Sequence, residues 1–432
     1  MSITKKILHA IEENDIQNFL LNETITETEE LFFVKKELTL TRNKDITTCE
    51  VTIYHDFEKN GVKMRGSSSF TADNTMSESE LNDKIMSAYS SALSVCNPYY
   101  KLPASNEMFT ENDKIRNEGI QNIENDYNAR DLADIIYKND NYSDAFINSL
   151  EIFVATKKNH IINSNGINIS YTSKIYSGEF VVQCKEPNDV ELYQDFQYSS
   201  LDKDIEKSIS RVLSDNLCMV RDRAKAVSIH DIPEEKIKYD SVILEGNCVY
   251  ELFRYYLRRL DASMIYPGYS QFKLNEPVIT QKEASADKLN ISLAPKNPYS
   301  DEGVKLIHAV LIKDSVAKCI TGNARFSFYL GIPAIGEYNC FDMECGNTTL
   351  DEMYKKPYLK IVNFSDFQMN ELSGQFGGEF RLAYYYDGTN TIPVTNGSIS
   401  GNINELVKTM RLSKENQQFY NFNGPLAVSY TV

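Results

Sequence analysis

Hydrophobic and polar positions follow two different periods along the chain, and the period changes at recognisable turn residues. Between residues 4 and 23, apolar side chains recur roughly every three or four positions, which predicts an amphipathic helix. Leu38 and Leu40 then alternate with polar neighbours, as in a half-buried strand. The Asn60-Gly61 pair that follows is typical of a tight hairpin turn. We therefore expect a helix followed by antiparallel strands at the start of the chain.

The first half continues this alternation of helix and antiparallel strand. Ser77 with Glu80 three residues later is a capping-box pattern, which predicts that a helix begins there. Residues 97–125 are polar and irregular, and we predict a linker or flap. The other elements predicted in this half are helices at 129–138 and 201–226 and strands on both sides of an Asn165-Gly166 turn.

The second half is richer in strand patterns than the first. The elements predicted here are two strands within 304–321, a helix from Asn323 to Gly331, a capping box at Thr349 and Glu352, a hairpin within 379–394, and a helix after Asn402. Helices and antiparallel strands in separate groups indicate the α+β class. We predict two domains: residues 1–230, with helices packed on an antiparallel sheet, and residues 231–432, a strand-rich mixed domain.

Composition narrows the range of functions. The chain has 432 residues and a net charge of −16, and an acidic surface of this kind repels nucleic-acid backbones and anionic lipids. It contains no apolar run of the roughly 18 residues that a membrane span needs. The eight cysteines are scattered, which favours reduced thiols over a disulfide scaffold. We therefore expect a cytoplasmic protein that binds neither nucleic acid nor membrane.

Motifs for common catalytic chemistry are missing from the sequence. It has no Gly-x-Ser-x-Gly elbow, no phosphate-binding Gly-x-x-x-x-Gly-Lys-Ser/Thr segment and no dinucleotide-binding glycine motif. The five histidines are far apart in sequence, and none forms a helical pair. A zinc hydrolase needs three protein ligands and one open position. We accordingly expect no metal and no other cofactor.

A basic helix remains as the candidate site. In the segment ELFRYYLRRL, residues 251–260, Arg254 and Arg258 are four positions apart and share a helix face. Glu251 lies one turn before Arg254 and can pair with it. One interpretation is a half-buried helix with a solvated basic edge. The other is a guanidinium patch, including Arg259, that binds a carboxylate or a partner chain.

Several segments, in this order, resemble the TldD/PmbA (TldD/TldE) family, which is peptidase-related, has two domains and is also known as the modulator of DNA gyrase family. The resemblance covers most of the chain and depends on the order and spacing of the pieces. These pieces are ARDLADII at 129–136, INSNGINISY at 162–171, the strand and basic helix at 241–272, the Asp-Glu-Gly stretch at 300–332, and the glycine-rich hairpin at 371–402.

The resemblance also implies which branch of the family this chain is similar to. The catalytic branch has a His-Glu-x-x-x-His zinc motif on this helix and a cysteine near the C-terminus. Here Arg254 and Arg259 stand at the histidine positions and Tyr255 at the glutamate position, and the tail has no cysteine. Arginine has no lone pair for zinc, and tyrosine is a poor base at neutral pH. The chain therefore resembles the metal-free PmbA/TldE branch.

Membership of that branch implies a role without catalysis. The protein would bind peptides and form a homodimer, or a heterodimer with a TldD-like zinc protease, with no catalytic or metal-binding residues and no activity alone. The candidate binding residues are Arg254, Tyr255, Arg258 and Arg259 on the helix and Phe376, Gly377 and Gly378 in the glycine-rich segment. Two alternatives stay open: a hydrolase or peptidase with an unrecognised site, and a self-associating structural protein.

Overall fold

The computed structural model describes residues 2–105, 126–280, 283 and 285–432. The first part of the chain is built on one long antiparallel sheet with the strand order β4-β3-β2-β1-β5-β6-β7. Its strands are β1 (Asn18–Val34), β2 (Glu37–Lys59), β3 (Val62–Asp73), β4 (Asn97–Pro98), β5 (Ala145–Asn163), β6 (Asn168–Cys184) and β7 (Val190–Ser199). The helices of this part are α1 (Ile3–Glu13), α2 (Glu78–Ala92), α3 (Ala129–Tyr137) and α4 (Ile205–Lys225).

The four helices described in this part of the chain pack on one face of this sheet. Leu21 belongs to the core under α1 and α2, and Leu31 belongs to the core under α3 and α4. The two leucines are an even number of positions apart on β1, so they point to the same face. Leu20 points to the opposite face and packs in a cluster with Tyr299 from the second half of the chain. The sheet therefore lies between its own helices and the C-terminal part.

The C-terminal part contains two sheets. Their strand orders are β12-β11-β10-β13-β20-β19 and β18-β21-β9-β14-β15-β16-β8, and β17 pairs with β15. The strands are β8 (Val227–Ser228), β9 (Ser241–Glu245), β10 (Ile291–Leu293), β11 (Ala309–Lys313), β12 (Val316–Ala317), β13 (Phe341–Met343), β14 (Tyr358–Met369), β15 (Gln375–Tyr386), β16 (Thr391–Thr395), β17 (Gly397–Asn402), β18 (Arg411–Leu412), β19 (Asn416–Phe419), β20 (Phe422–Pro425) and β21 (Ala427–Thr431).

One helix occupies the core of this part. The helices here are α5 (Cys248–Arg259), α6 (Ala262–Ile265), α7 (Ala324–Leu330), α8 (Leu350–Met353) and α9 (Ile403–Thr409). Phe253 and Tyr256 of α5 are fully buried in a cluster that contains residues of both sheets, such as Ile291 and Leu359. The basic helix predicted from the sequence is therefore a core element. The α+β class and the two-domain TldE-like fold are confirmed, whereas a boundary between residues 230 and 231 stays a prediction.

Most of the predicted turns and caps are present. Asn60 and Gly61 both have positive φ and join β2 to β3, as a tight hairpin requires. The capping box forms at Ser77, whose hydroxyl accepts a hydrogen bond from the Glu80 amide at 3.2 Å. Thr349 forms a second capping box. Most of the predicted linker at 97–125 lies outside the described residues, and β4 occupies its first two positions.

The predicted helix at 4–23 is wrong in its second half. Helix α1 ends at Glu13, and β1 begins at Asn18. Leu21 pairs with Val51 of β2 on one side and with Ile162 of β5 on the other. Phe19, Leu20 and Leu21 form a short continuous apolar run, and such a run fits a strand covered on both faces as well as it fits a buried helix. Pairing with two neighbouring strands decides in favour of the strand.

Candidate functional site

The strand β9 and the helix α5 position the candidate arginines. Gly246 joins them with a φ of +90°, a conformation that side chains disfavour, and its amide donates to the carbonyl of Leu426, which immediately precedes the neighbouring strand β21. The helix then buries Leu252, Phe253 and Leu257 in the core. Arg254 and Arg258 therefore emerge at the surface on the opposite side, as their spacing of four predicts.

Arg254 and Arg258 share one carboxylate. The two oxygens of Glu371 lie 3.2 Å from Arg254 Nη2 and 3.2 Å from Arg258 Nε. Glu251 lies 3.5 Å from Arg254, as the sequence predicted. Burial lowers the pKa of Arg254, but Glu251, Tyr250 and Glu371 more than reverse that effect. Both arginines are therefore charged groups already engaged by carboxylates of this chain.

Arg259 differs from its two neighbours because it is 91% buried, with a relative exposure of 9%. Its Nη1 donates to the backbone carbonyls of Tyr269 and Leu372. Its guanidinium carbon lies 5.8 Å and 5.7 Å from the ring centres of Tyr255 and Phe272. Arg259 is thus a buried residue that binds backbone carbonyls, and it does not extend the exposed basic patch.

The three arginines together hold a single turn. Residues 370–374 connect β14 to β15, and both Glu371 and Leu372 lie in this turn. We call Arg254, Arg258 and Arg259, with the turn they hold, the arginine clamp. Within this turn, two arginines contact the side chain of Glu371, and the third contacts the backbone carbonyl of the next residue, Leu372. Sequence reasoning found the arginines but not Glu371, which is distant along the chain.

Tyr255 packs as a core residue. It is 3% exposed, and its ring makes edge contacts with Tyr256 at 5.2 Å and with Phe272 at 6.4 Å. A residue in this environment cannot approach a water molecule at the surface. Tyr255 therefore contributes packing to the helix and supports the position of Arg259.

The residues on α5 do not fit a metal ion. Arg254, Arg258 and Arg259 carry positive charge and no free lone pair, so they repel a cation. Among the described residues, which include every histidine and cysteine of the sequence, no three His, Cys, Asp or Glu side chains are grouped to hold a metal. The described residues therefore offer no metal site at this helix.

Phe376, Gly377 and Gly378 lie on β15 between β14 and β17. Phe376 is buried in the core, while the two glycines leave a trough on the outer surface of about 710 Å³, which we call the glycine trough. Its rim carries the polar side chains Asp366, Gln368, Asn370, Gln375, Glu379 and Ser398. A Cβ on Gly378 would lie 2.1 Å from the carbonyl oxygen of Asp366, so this close strand spacing requires glycine.

One edge of the trough is an open strand edge. Strand β9 pairs with β14 from Tyr358 to Ile361. Beyond that point, among the described residues, Asn363–Met369 pair with β15 on one side and with no strand on the other. This edge leads directly into the turn held by the arginine clamp. The predicted arginines and the predicted glycine segment are therefore joined through the β14–β15 hairpin.

Comparison with known proteins identifies the region that contains this site. Residues 237–430 match the family model described as the PmbA/TldA metallopeptidase C-terminal domain. We call residues 237–430 the PmbA/TldD region, after the domain model that they match. The PmbA/TldD region contains α5, the arginine clamp and the glycine trough. The resemblance predicted from the sequence is confirmed.

Solved structures extend the similarity of fold to the whole chain. TldE from Thermococcus kodakarensis has a TM-score of 0.74 and 12% identity, with 100% of this chain and 99% of that chain covered. Candidate DNA gyrase modulators from Bacteroides thetaiotaomicron and Thermotoga maritima have TM-scores of 0.73 and 0.68, with identities of 14% and 13%. In both cases 99% of this chain and 97% of the other are covered. The PmbA/TldD region therefore sits in a chain with a TldE-like fold throughout.

A curated relative agrees over part of the chain. An uncharacterised protein of Methanocaldococcus jannaschii is 23% identical over 265 residues, which is 57% of this chain. The chain spans 60% of the length of that relative. No helix among the described residues is long and apolar enough to cross a membrane.

Proposed function

We propose that this chain is a cytoplasmic, non-catalytic TldE-type subunit that binds peptides and pairs with a zinc-dependent TldD-like protease. The observation that carries the proposal is the chemistry of α5. The positions that resemble the zinc motif hold Arg254, Tyr255 and Arg259, and the latter two are buried as packing groups. A helix built in this way binds a turn of its own chain and offers no group to activate water.

The proposed mode of peptide binding is addition of a strand to the open edge of β14. Main-chain hydrogen bonds from an exposed edge give affinity for many sequences, because they do not read side chains. The edge at Asn363–Met369 borders the glycine trough, which leaves room for alternate side chains of a bound peptide. Peptides with alternate N-methylated residues should therefore bind at least tenfold more weakly than unmodified peptides, whereas scrambled peptides should bind equally.

The arginine clamp enters this proposal as a support for the edge. Arg254 and Arg258 already hold Glu371, so a peptide carboxylate or an acidic patch of a partner would have to displace that side chain. The double change R254A/R258A should release the turn and weaken peptide capture or pairing. Lys158→Ala is a matched control, because it removes an exposed ion pair, between a lysine and Glu27, on the distant N-terminal sheet. Equal binding by the double variant and the control contradicts this role.

Activity measurements test the whole proposal. The purified chain is assayed for metal content and for peptide hydrolysis, with and without a chelator, alone and mixed with a relative that carries His-Glu-x-x-x-His. We expect no metal and no hydrolysis from the chain alone, and chelator-sensitive hydrolysis from a complex that co-elutes on size-exclusion chromatography. Chelator-sensitive hydrolysis by the chain alone overturns the proposal, and so does failure to form any complex.

A further inference from the structure

A second cleft lies beside the arginine clamp and is not used by the function proposed above. It has a volume of about 380 Å³ and is bounded by residues 295–302 and 337–340, with Arg258 and Tyr420 at its margins. Five charged side chains line it, namely Arg258, Lys296, Asp301, Glu302 and Glu337. A concave site with convergent polar groups of several kinds is the usual form of a ligand pocket.

Both cations of the cleft are already paired. Lys296 Nζ lies 2.6 Å from the carboxylate of Asp202, whose side chain is 1% exposed. Arg258 is paired with Glu371. The Lys296–Asp202 pair is neutral, and so is the group in which Arg254 and Arg258 share Glu371 and Arg254 also pairs with Glu251. These pairs leave no excess positive charge for a further carboxylate.

The remaining carboxylates have no cationic partner. Among the described residues, no lysine or arginine forms an ion pair with Asp301, Glu302 or Glu337. Glu302 accepts a hydrogen bond from the backbone N–H of Ala324 at 2.7 Å, and Glu337 accepts one from the side-chain Nδ2 of Asn323 at 3.4 Å. Three carboxyl groups therefore line one cleft, Glu302 half-buried and Asp301 and Glu337 exposed, and no lysine or arginine among the described residues pairs with them.

The pKa shifts agree with this imbalance. Burial raises the pKa of Glu302 to about 7, and the neighbouring Glu337 and Asp301 add to the effect. Burial also raises the pKa of Glu337, with Asp261 and Asp301 acting in the same direction and Arg258 against them. Carboxyl groups in this condition gain most from a positively charged ligand, because such a ligand lets them ionise.

The rest of the lining suits an organic cation. Tyr299, Tyr338 and Tyr420 line the cleft, and the faces of aromatic rings attract ammonium and guanidinium groups. Among the described residues, the carboxylates are not grouped to coordinate a metal ion. A cavity of 380 Å³ has room for one side chain or one chain terminus. An alkylammonium or guanidinium group fits the charge, the size and the aromatic walls.

We propose that this carboxylate cleft, formed by Asp301, Glu302 and Glu337 with the three tyrosines, binds a positively charged group of a peptide. That group is an α-ammonium or the head of a lysine or arginine side chain. This inference rests on the proposed function as far as the ligand is a peptide. The inference goes beyond that function because the carboxylate cleft would select peptides by their charge, whereas an open strand edge would not.

The test compares peptides that differ by one positive charge. A decapeptide whose only charge is its free amino terminus, its uncharged N-acetylated form, and the N-acetylated form with one lysine are titrated into the full chain by calorimetry. Either charged peptide should bind at least tenfold more tightly than the neutral one. The difference between the two charged peptides tells which source of the cation is preferred. Equal affinity for all three peptides overturns the inference.

Protein variants locate the effect in the cleft. The variant E302Q/E337Q keeps the shape of both side chains and mimics their protonated form, so it should fold normally. It should lose the tenfold preference and keep its affinity for the neutral peptide. Glu405→Gln is the matched control, because it neutralises an exposed glutamate that pairs with Lys408 on α9, and it should keep the preference. A preference that persists in E302Q/E337Q overturns the inference.

A small probe separates failure of the cleft from failure of the peptide function. Butylammonium chloride and neutral butanol are compared by ligand-observed NMR with the wild-type chain and with E302Q/E337Q. Butylammonium binding that is lost in the variant supports the cleft even if no peptide binds, and in that case the proposed peptide function fails alone. Absence of butylammonium binding counts against the cleft whatever the peptides do.

Discussion

Arg254, Arg258 and Arg259 are close in sequence but lie in two different environments, and the environment decides what each arginine can do. Arg254 and Arg258 are about 36% and 40% exposed and share the carboxylate of Glu371. Arg259 is buried against two aromatic rings and bonds backbone carbonyls. Guanidinium groups suit both roles, because they present several donors in a plane and stack on rings. Lysine at any of the three positions would lose part of this geometry.

Glu302 gives a prediction at the scale of a single residue. Its pKa in the folded chain is about 7, above the ordinary value of 4.5, so the folded state binds its proton more tightly than the unfolded state does. The stability from this group is therefore complete below about pH 4.5 and is lost as the pH rises through 7. Glu302→Gln should nearly equal the wild type at pH 4.5 and exceed it by about 3 kcal/mol at pH 8.

Urea unfolding at several pH values between 4.5 and 8 measures this difference. Glu405→Gln, the exposed control, should follow the wild type across the whole range. Asp301 and Glu337 face Glu302 and keep their own charges in the variant, so part of the pH dependence remains. Parallel curves for Glu302→Gln and the wild type would contradict the raised pKa.

At the scale of elements, the β14–β15 hairpin depends on the absence of a side chain at Gly378. A Cβ there would lie 2.1 Å from the carbonyl oxygen of Asp366, and one at Gly377 would lie 2.9 Å from that of Ile399. Gly378→Ala should therefore lower the free energy of unfolding by about 2 to 3 kcal/mol, because the backbone must shift to admit the methyl group. Gly377→Ala should cost less.

Denaturant unfolding of the two alanine variants provides the measurement. Each variant acts as the control for the other, since both remove a glycine from the same strand. The expected order is a larger loss for Gly378→Ala than for Gly377→Ala. Equal losses, or the reverse order, would show that the strand spacing at Gly378 is not what limits the hairpin.

Elements defined by local chemistry could be predicted from the sequence. The Asn60-Gly61 turn and the capping boxes at Ser77 and Thr349 depend on a few neighbouring residues, so their signals are complete within a short window. The start of β1 could not be predicted, because Leu21 becomes a strand residue through partners on β2 and β5 that are distant in sequence.

The candidate site, too, could be predicted from the sequence only where its features depend on neighbouring residues. The shared face of Arg254 and Arg258 and the pair with Glu251 follow from helical spacing, and the structure confirms both. The partner Glu371 and the burial of Arg259 depend on how the β14–β15 turn packs on α5, which no local pattern encodes. The carboxylate cleft was also missed, because its members come from two segments whose carboxylates are too common to mark a site.

At the scale of the whole molecule, a buried ion pair joins the N-terminal sheet to the C-terminal part. Asp202 follows β7 and accepts hydrogen bonds from the Ser199 amide, Lys296 and Gln418. Lys296→Met should destabilise the chain by about 3 to 5 kcal/mol, because it removes the lysine that neutralises the buried Asp202 charge. The double variant D202N/K296M should recover part of that loss, since it leaves no unpaired charge.

Urea unfolding of Lys296→Met, Asp202→Asn and the double variant gives this comparison as a thermodynamic cycle. Lys158→Met, which removes an exposed ion pair with Glu27, is the matched control and should cost no more than about 1 kcal/mol. A double variant that is less stable than Lys296→Met would contradict the argument from the buried charge.

The position of β9 has a consequence for how the C-terminal part is made. In its sheet, β9 (Ser241–Glu245) lies between β14 and β21, and its antiparallel partner is Ala427–Thr431. A growing polypeptide therefore exposes one flank of β9 until the segment that contains residue 431 has left the ribosome. During synthesis that apolar strand is without its neighbour for a long interval. Chaperones that recognise extended apolar segments can bind β9 during this interval.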